Sequence, residues 1–138
     1  MTVPRSFFDT NILLYIYSDA DPEKQKRARE LYREQALSGA ILVSTQVVQE
    51  FYAAGTRKLA IPQATVRALT EALLELPLVI VTPTHIRSAL DHQLRYQVSF
   101  WDGLILAAAE AGGADVLYTE DLNDGQQYGR VLARNPFR

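Results

Sequence analysis

The chain has 138 residues, no cysteine and a formal net charge of −2. This length is enough to bury the hydrophobic core of one domain, which we expect to span residues 1–138. The absence of cysteine excludes disulfides, thiolate zinc sites and cysteine nucleophiles. Its charge supplies no positive field for nucleic acids, which counts mildly against a polyanionic substrate. Because it has neither a bilayer-spanning apolar run nor a signal-peptide pattern, we expect a cytoplasmic protein with no membrane partner.

Strand and helix patterns alternate along the chain. In chain order, we predict a strand at 7–9, helices at 11–17 and 22–37, a strand at 40–43, helices at 45–58 and from 62, a strand at 78–81, helices from 83 and at 99–111, and strands at 116–119 and 131–133. The run at 78–81 is continuously aliphatic, which is typical of a parallel strand buried on both faces. This alternation predicts an α/β layer structure with a mostly parallel sheet.

Four acidic residues lie within or beside apolar segments: Asp9, Glu50, Asp102 and Asp121. A buried carboxylate is costly unless it is paired, hydrogen-bonded or bound to a cation. Asp9 ends the first predicted strand and Asp121 lies just past the fourth, and the helices that carry Glu50 and Asp102 can reach the same edge of the sheet. Parallel α/β sheets bind ligands beyond the carboxyl ends of their strands. We therefore expect the four acids to converge, with a divalent metal relieving their repulsion.

Two of these acids also have a structural interpretation as helix caps. Asp9 is suited to capping the short helix that follows the first strand. Ser99 and Asp102 have the spacing of a capping box, in which the acid reaches back to the amide of the capping residue. For either residue considered alone, a structural role as a helix cap is at least as well supported as a catalytic role.

The other two acids have different structural alternatives. Glu50 would pair with Arg57 or Lys58 along its helix, and Asp121 would belong to an ordinary turn, a role that Asp124 fits better because Gly125 follows it. A purely structural interpretation requires all four of these roles to be correct at once, and all four residues are expected in the crevice where this class of fold binds ligands. The sequence therefore favours one shared acidic site.

An all-carboxylate ligand set predicts Mg²⁺ or Mn²⁺ rather than zinc or copper. Two such ions about 4 Å apart can activate water and stabilise the leaving oxygen in phosphodiester hydrolysis, although the sequence leaves one or two ions open. Asn11 and Thr119 are neutral groups on the same rim, suited to orienting a carboxylate or a bound water. His85 and His92 lack a third ligand at zinc-like spacing, so we expect them at the surface or at an interface.

The motifs around the four acids resemble those of a known family. In order, they are Phe8-Asp9-Thr10-Asn11, Gln49-Glu50-Phe51, Ser99-Phe100-Trp101-Asp102 and Tyr118-Thr119-Glu120-Asp121-Leu122. Together they are similar to the motifs of the PIN-domain ribonucleases, and specifically of the VapC-type toxins of VapBC toxin–antitoxin systems. The resemblance covers nearly the whole chain, including Asn135-Pro136-Phe137 near its end.

The resemblance implies a PIN-like three-layer α/β/α domain with a mostly parallel central sheet, usually a homodimer. It further implies an endoribonuclease that uses Mg²⁺ or Mn²⁺ to cleave RNA, and an antitoxin partner that covers the active site. By motif match, the catalytic and metal-binding positions are Asp9, Glu50, Asp102 and Asp121, with Asn11 and Thr119 as supporting polar residues. Gly103 stands where alanine or serine is more usual and is expected to loosen that helix start, while Asp124 is an outer-shell acid at most.

Several alternatives remain after this resemblance. A non-toxin PIN nuclease of RNA processing and a noncatalytic PIN-like module that binds RNA or protein would carry the same fold. Haloacid-dehalogenase-type phosphatases fit poorly, because their second aspartate position is occupied by Asn11. Receiver domains fit poorly as well, because they need a lysine late in the sheet and the last lysine here is Lys58.

Overall fold

The computed structural model describes residues 3–138. Within that range the chain forms six strands and six helices. The strands are β1 (Arg5–Phe8), β2 (Ala40–Ser44), β3 (Leu78–Val79), β4 (Val116–Tyr118), β5 (Gln127–Tyr128) and β6 (Val131–Arg134). The helices are α1 (Thr10–Tyr17), α2 (Pro22–Ser38), α3 (Thr45–Lys58), α4 (Gln63–Leu74), α5 (Pro83–Tyr96) and α6 (Phe100–Ala111). None of these helices is both long and apolar enough to cross a membrane.

The strands form one sheet in the order β3-β2-β1-β4-β6-β5. Every neighbouring pair is parallel except β5 and β6, which run antiparallel. Phe7 aligns with Leu42 on one side and with Leu117 on the other, so β1 lies at the centre of the sheet. The prediction of a mostly parallel sheet is confirmed. Because β1, β2 and β4 are parallel, their carboxyl ends meet at one edge.

Helices cover both faces of this sheet. Phe8 packs edge-on against Tyr32 of α2, with ring centroids 5.7 Å apart. Side chains alternate along a strand, so Phe7 and its aligned neighbour Leu42 point to the opposite face. On that face a Cβ added to Gly112, which follows α6, would lie 3.3 Å from Leu42 Cδ1. The sheet is therefore the middle layer of a three-layer α/β/α structure, as the family resemblance implied.

Two predicted strand features need correction. The aliphatic run at 78–81 was expected to be a strand buried on both faces, yet β3 contains only Leu78 and Val79, both half-buried at the edge of the sheet. Ile80 is 64% exposed. An aliphatic run records the tendency to form a strand but not how many neighbours that strand acquires. The antiparallel strand β5 was not predicted, because its two residues carry no periodic signal.

Gly103, which was expected to loosen the start of α6, packs closely against α5. Gly103 is buried, and a Cβ at this position would lie 2.8 Å from the carbonyl oxygen of Ala89 in α5. Glycine is thus required for close packing between α5 and α6. This contact holds the first turn of α6, which carries Asp102, against the rest of the domain.

Candidate active site

Asp9 lies directly after the central strand, at the carboxyl edge of the sheet. Its backbone N–H donates to the carbonyl of Tyr118, 3.0 Å away, which extends the pairing of β1 with β4. Asp9 Oδ1 accepts from the Thr10 N–H at 2.7 Å, so Asp9 caps α1 as its structural interpretation predicted. Oδ2 accepts from the Thr119 hydroxyl at 2.7 Å. Only 5% of Asp9 is exposed, so this carboxylate is fixed in the interior at both oxygens.

Thr119 links the first and fourth acids. Its hydroxyl donates to Asp9 and accepts from the backbone N–H of Asp121 at 3.1 Å. The Asn11 amide nitrogen donates to Asp121 Oδ2 at 3.1 Å. Asn11 Oδ1 is buried and has no hydrogen-bond partner within residues 3–138. The two predicted polar residues therefore contact the acids they were expected to orient.

Glu50 and Asp102 approach from two helices. The Thr10 hydroxyl donates to Glu50 Oε1 at 3.0 Å, and no ion pair holds Glu50 anywhere in the range 3–138. The predicted alternative, an ion pair with a basic residue of α3, is thus absent among those residues. Ser99 caps α6, and its hydroxyl accepts from the Asp102 N–H at 3.1 Å. Asp102 itself is half-buried.

All four acids line one cavity of about 310 Å³. Its other lining residues are Thr10, Asn11, Leu14, Ala53, Ala54, Arg57, Lys58 and Ile105. Two positive side chains, Arg57 and Lys58, therefore share the cavity with the acids. Asp124 does not line it, because the Asp124 carboxylate accepts from the N–H of Asn135 at 2.9 Å in an exposed turn. The four acids therefore converge as the sequence predicted, in the sense that they line one shared cavity.

Burial is the main cause of the altered acidity of Asp9. It raises the pKa of Asp9 from 3.8 to about 7, in spite of the hydrogen bonds from Thr119 and Thr10, which lower it. The negative charges of Asp121 and Glu50 make smaller contributions to this rise. Desolvation and like charges both favour the protonated form of a carboxyl group. Within residues 3–138, no ion pair to Asp9 offsets these effects.

The same causes act on two other acids. Burial raises the pKa of Asp102, the charges of Asp121 and Glu50 raise it further, and the hydrogen bond from Ser99 lowers it. Burial also raises the pKa of Asp121, followed by repulsion from the adjacent Glu120. Asp121 and Glu50 thus act on both Asp9 and Asp102, as expected for carboxylates that share one space.

The donor set of the cavity fits a hard divalent cation. Carboxylate oxygens are what Mg²⁺ and Mn²⁺ prefer, and the unpaired Asn11 Oδ1 adds a buried neutral acceptor. Within residues 3–138, however, no three acidic, histidine or cysteine side chains stand close enough together to enclose one ion. Magnesium keeps several waters and commonly uses only one or two protein carboxylates together with substrate phosphates. The wide spacing of the acids fits that water-bridged mode better than a closed cage.

Sequence reasoning missed part of this site. Thr10 contacts both Asp9 and Glu50, and its only sequence signal was its place inside the first motif. A second unpredicted group is formed by Lys24 and Glu120, whose side chains pair directly beside the site. These two residues are 96 positions apart, so no local pattern could reveal their contact.

Three comparisons with known proteins bear on this arrangement. Residues 6–126 match the family model of the PIN domain. No curated protein matches the chain. Among solved structures, the VapC20 toxin of Mycobacterium tuberculosis, described as cleaving the sarcin–ricin loop, is 18% identical, with a TM-score of 0.69 over 84% of this chain and 89% of that one.

Two further solved structures share the fold. A toxin–antitoxin complex from Klebsiella pneumoniae matches with a TM-score of 0.71 at 18% identity, over 95% of this chain and 97% of that one. VapBC2 from Rickettsia felis, solved with a fragment of its promoter DNA, matches with a TM-score of 0.68 at 15% identity, over 95% and 98% of the two chains. At these identities the structures establish the fold alone, whereas the family model covers most of the sequence. The chain therefore belongs to the PIN-domain family.

Proposed function

We propose that this protein is a metal-dependent endoribonuclease and the toxin component of a toxin–antitoxin system. The observation that carries the proposal is the cavity at the carboxyl edge of a PIN-domain sheet, lined by Asp9, Glu50, Asp102 and Asp121. Such a cavity would repel an RNA phosphate unless cations occupied it. The raised pKa values of Asp9, Asp102 and Asp121 indicate the same need for positive charge.

In this proposal the four acids hold Mg²⁺ or Mn²⁺ directly or through water. When bound, such ions lower the pKa of water and stabilise the leaving oxygen of a phosphodiester. Thr119 fixes the orientation of Asp9, and Asn11 fixes that of Asp121. Residues that orient ligands in this way are commonly worth 10- to 100-fold in metal affinity or activity.

The remaining polar residues of the cavity serve substrate binding and proton transfer. Arg57 and Lys58 line the same cavity at the end of α3 and would bind the RNA backbone next to the scissile phosphate. Arginine and lysine are well suited to phosphate oxygens. Of the four acids only Asp9 is fully buried, so Glu50, Asp102 and Asp121 are placed to accept a proton from the attacking water and pass it to solvent.

The toxin assignment rests on the structural neighbours. Two of them are toxin–antitoxin assemblies, and we infer an antitoxin partner that covers the acidic cavity of this chain. We also infer a homodimer. Three residues at intervals of four along α5, Ile86, Leu90 and Leu94, are 42%, 51% and 77% exposed, which makes an apolar row that a second copy would cover.

The decisive test is RNA cleavage by the wild type and by Asp9→Asn in the presence of Mn²⁺ or Mg²⁺. Loss of even an outer-shell partner commonly costs about 10- to 100-fold, so removing a ligand carboxylate should cost more than about 100-fold. Asp124→Asn is the matched control, because Asp124 lies in an exposed turn outside the cavity. Cellular RNA followed by end mapping would identify the cut site.

Thermal melting provides an independent check of metal binding. A ligand that binds only the folded state raises stability with its concentration, so Mn²⁺ should raise Tm in the wild type and in Asp124→Asn, but much less in Asp9→Asn. If Asp9→Asn cleaves RNA as fast as the wild type, Asp9 is not a required ligand. If the wild type is inactive and its Tm ignores Mn²⁺, the nuclease proposal is wrong.

A further inference from the structure

Trp101 lies in the first turn of α6, directly before Asp102, and 61% of it is exposed. Its ring packs edge-on against Phe100, with centroids 5.1 Å apart. A single exposed apolar residue means little by itself, because much of any protein surface is apolar. The location of Trp101 beside a second cavity makes its exposure informative.

That second cavity has a volume of about 340 Å³ and is lined by Trp101 together with Gln46, Gln49, Glu50 and Ala53 of α3. The four α3 residues follow the i, i+3, i+4, i+7 spacing of one helix face. Glu50 and Ala53 also line the acidic cavity. The space at Trp101, which we call the Trp101 cavity, therefore adjoins the proposed site of phosphodiester cleavage.

Gln46 ties the two walls of the Trp101 cavity together. Its amide nitrogen donates to the carbonyl of Trp101 at 3.4 Å, and only 6% of Gln46 is exposed. A carbonyl can only accept, so the amide oxygen must face away from it. That oxygen is buried and has no hydrogen-bond partner within residues 3–138. A buried acceptor without a partner is costly, so the wall of the cavity holds an amide group whose oxygen is not used within residues 3–138.

We propose that the Trp101 cavity binds one unpaired base of the RNA, stacked on the Trp101 ring next to the scissile phosphate. This inference rests on the proposed nuclease function. Proteins that bind single-stranded RNA commonly stack splayed-out bases on aromatic side chains and hydrogen-bond their edges. Gln46 and the exposed Gln49 line the cavity and supply amide groups for a base edge.

Three features favour a base over a protein segment in this cavity. Its volume is at the lower end of the range of roughly 300–1,000 Å³ that is typical of small-ligand sites. Its wall combines one aromatic ring with two amide side chains rather than an apolar groove. Through Glu50 it adjoins the acids, so a base held there would belong to a nucleotide beside the phosphate that those acids process.

Trp101 is also a built-in reporter, because it is the only tryptophan of the chain. The probe is a short single-stranded RNA spanning the cut site that the wild type is found to use. We expect this RNA to quench Trp101 fluorescence in a saturable manner, both for wild type in EDTA and for Asp9→Asn with Mn²⁺. The same RNA made abasic at the nucleotides flanking the cut, one at a time, should lose the quenching at one position.

Kinetics with Mn²⁺ separate stacking from a merely structural role. Stacking of one base on an aromatic ring is worth a factor of about 5 to 150 in binding, so Trp101→Ala should raise KM by that factor with kcat changed less. Trp101→Phe should restore most of the affinity. Leu37→Ala, which removes an apolar residue that is 83% exposed on α2, is the matched control and should leave KM unchanged.

Each contrary result has its own meaning. If the wild type cleaves RNA while Trp101→Ala keeps the KM of the wild type, the base site is wrong and the nuclease function stands. If Trp101 fluorescence follows protein concentration instead of RNA, the ring lies between two copies of the chain and the base site is again wrong. If no RNA is cleaved with Mn²⁺ or Mg²⁺, the nuclease function itself fails.

Discussion

Glu120 and Asp121 are neighbours in sequence but have opposite electrostatic surroundings. Glu120 forms an ion pair with Lys24 and accepts a hydrogen bond of 2.7 Å from the hydroxyl of Tyr15. Asp121 lines the acidic cavity, where its carboxylate accepts a hydrogen bond from the neutral amide of Asn11 at 3.1 Å. Within the part of the chain that the structure describes, Glu120 thus has a cationic partner and Asp121 has none.

This difference separates structural acids from candidate functional acids. The negative charge of Glu120 is balanced within the protein by Lys24. The Lys24 ammonium group also lies 4.9 Å from the ring centroid of Tyr15 and 5.2 Å from that of Phe137. Together these four residues clamp the loop after β4 against α1 and α2. Asp121 is carried by that clamped loop, and its pKa is raised by burial and by Glu120. The paired acid therefore positions the unpaired one.

The sharpest test of this comparison exchanges each carboxylate for its amide in turn. Asp121→Asn should lower RNA cleavage by more than about 100-fold, because it removes a proposed ligand whereas outer-shell losses commonly cost 10- to 100-fold. Glu120→Gln keeps the acceptor for Tyr15 and should lower cleavage by less than about 10-fold. Single-turnover rates with Mn²⁺ measure both effects. Equal losses in the two variants would mean that the pairing of Glu120 does not distinguish its role from that of Asp121.

A second test uses the effect of pH on the metal-free protein. The pKa of Asp9 is raised to about 7 in the fold, against 3.8 for the ordinary carboxyl group. Between those values the folded state keeps a proton that the unfolded state has released, so stability must fall as pH rises from about 4 to about 7. Below this window both states are protonated, and above it both are ionised. One such group contributes at most about 1.4 kcal/mol per pH unit.

Urea unfolding in EDTA at several pH values measures this effect. Asp9→Asn cannot titrate, so its stability should depend less on pH in that window than the stability of the wild type. It should also be the more stable protein near pH 7, since no charge is buried. If wild type and Asp9→Asn show the same pH dependence, the raised pKa of Asp9 is wrong.

The sequence predicted the central features of the fold and of the candidate site for one shared reason. Asp9 and Asp121 each follow an apolar strand, and parallel strands bring such positions to the same edge. The contact of Thr119 with both of them follows from that register. Local pattern and topology therefore sufficed to place the acids in one cavity.

What the sequence could not predict depends on packing between distant elements. The run at 78–81 has the composition of a buried strand, but its position at the edge of the sheet leaves Ile80 exposed. Glycine is needed at position 103 because the carbonyl of Ala89, in another helix, leaves no space for a Cβ. The pairing of Lys24 with Glu120 joins the second helix to the loop after β4. None of these contacts leaves a periodic signal in the local sequence.

The smallest expected effect concerns that ion pair. The side chains of Lys24 and Glu120 are 31% and 21% exposed, so solvent weakens their attraction, and exposed pairs contribute about 0–1 kcal/mol. Lys24→Met keeps the contacts with the rings of Tyr15 and Phe137 while removing the charge. A double-mutant cycle of Lys24→Met and Glu120→Gln, measured by urea unfolding, should give a coupling of about 1 kcal/mol or less.

The same cycle, measured by RNA cleavage, relates this pair to the adjacent acid. Removing Lys24 leaves Glu120 as an uncompensated charge, which strengthens the repulsion that already raises the pKa of Asp121. Lys24→Met should therefore lower activity more than Glu120→Gln does, and adding Glu120→Gln to Lys24→Met should restore part of the loss. If the double variant is no more active than Lys24→Met alone, the charge of Glu120 does not reach Asp121, and the clamp acts through packing only.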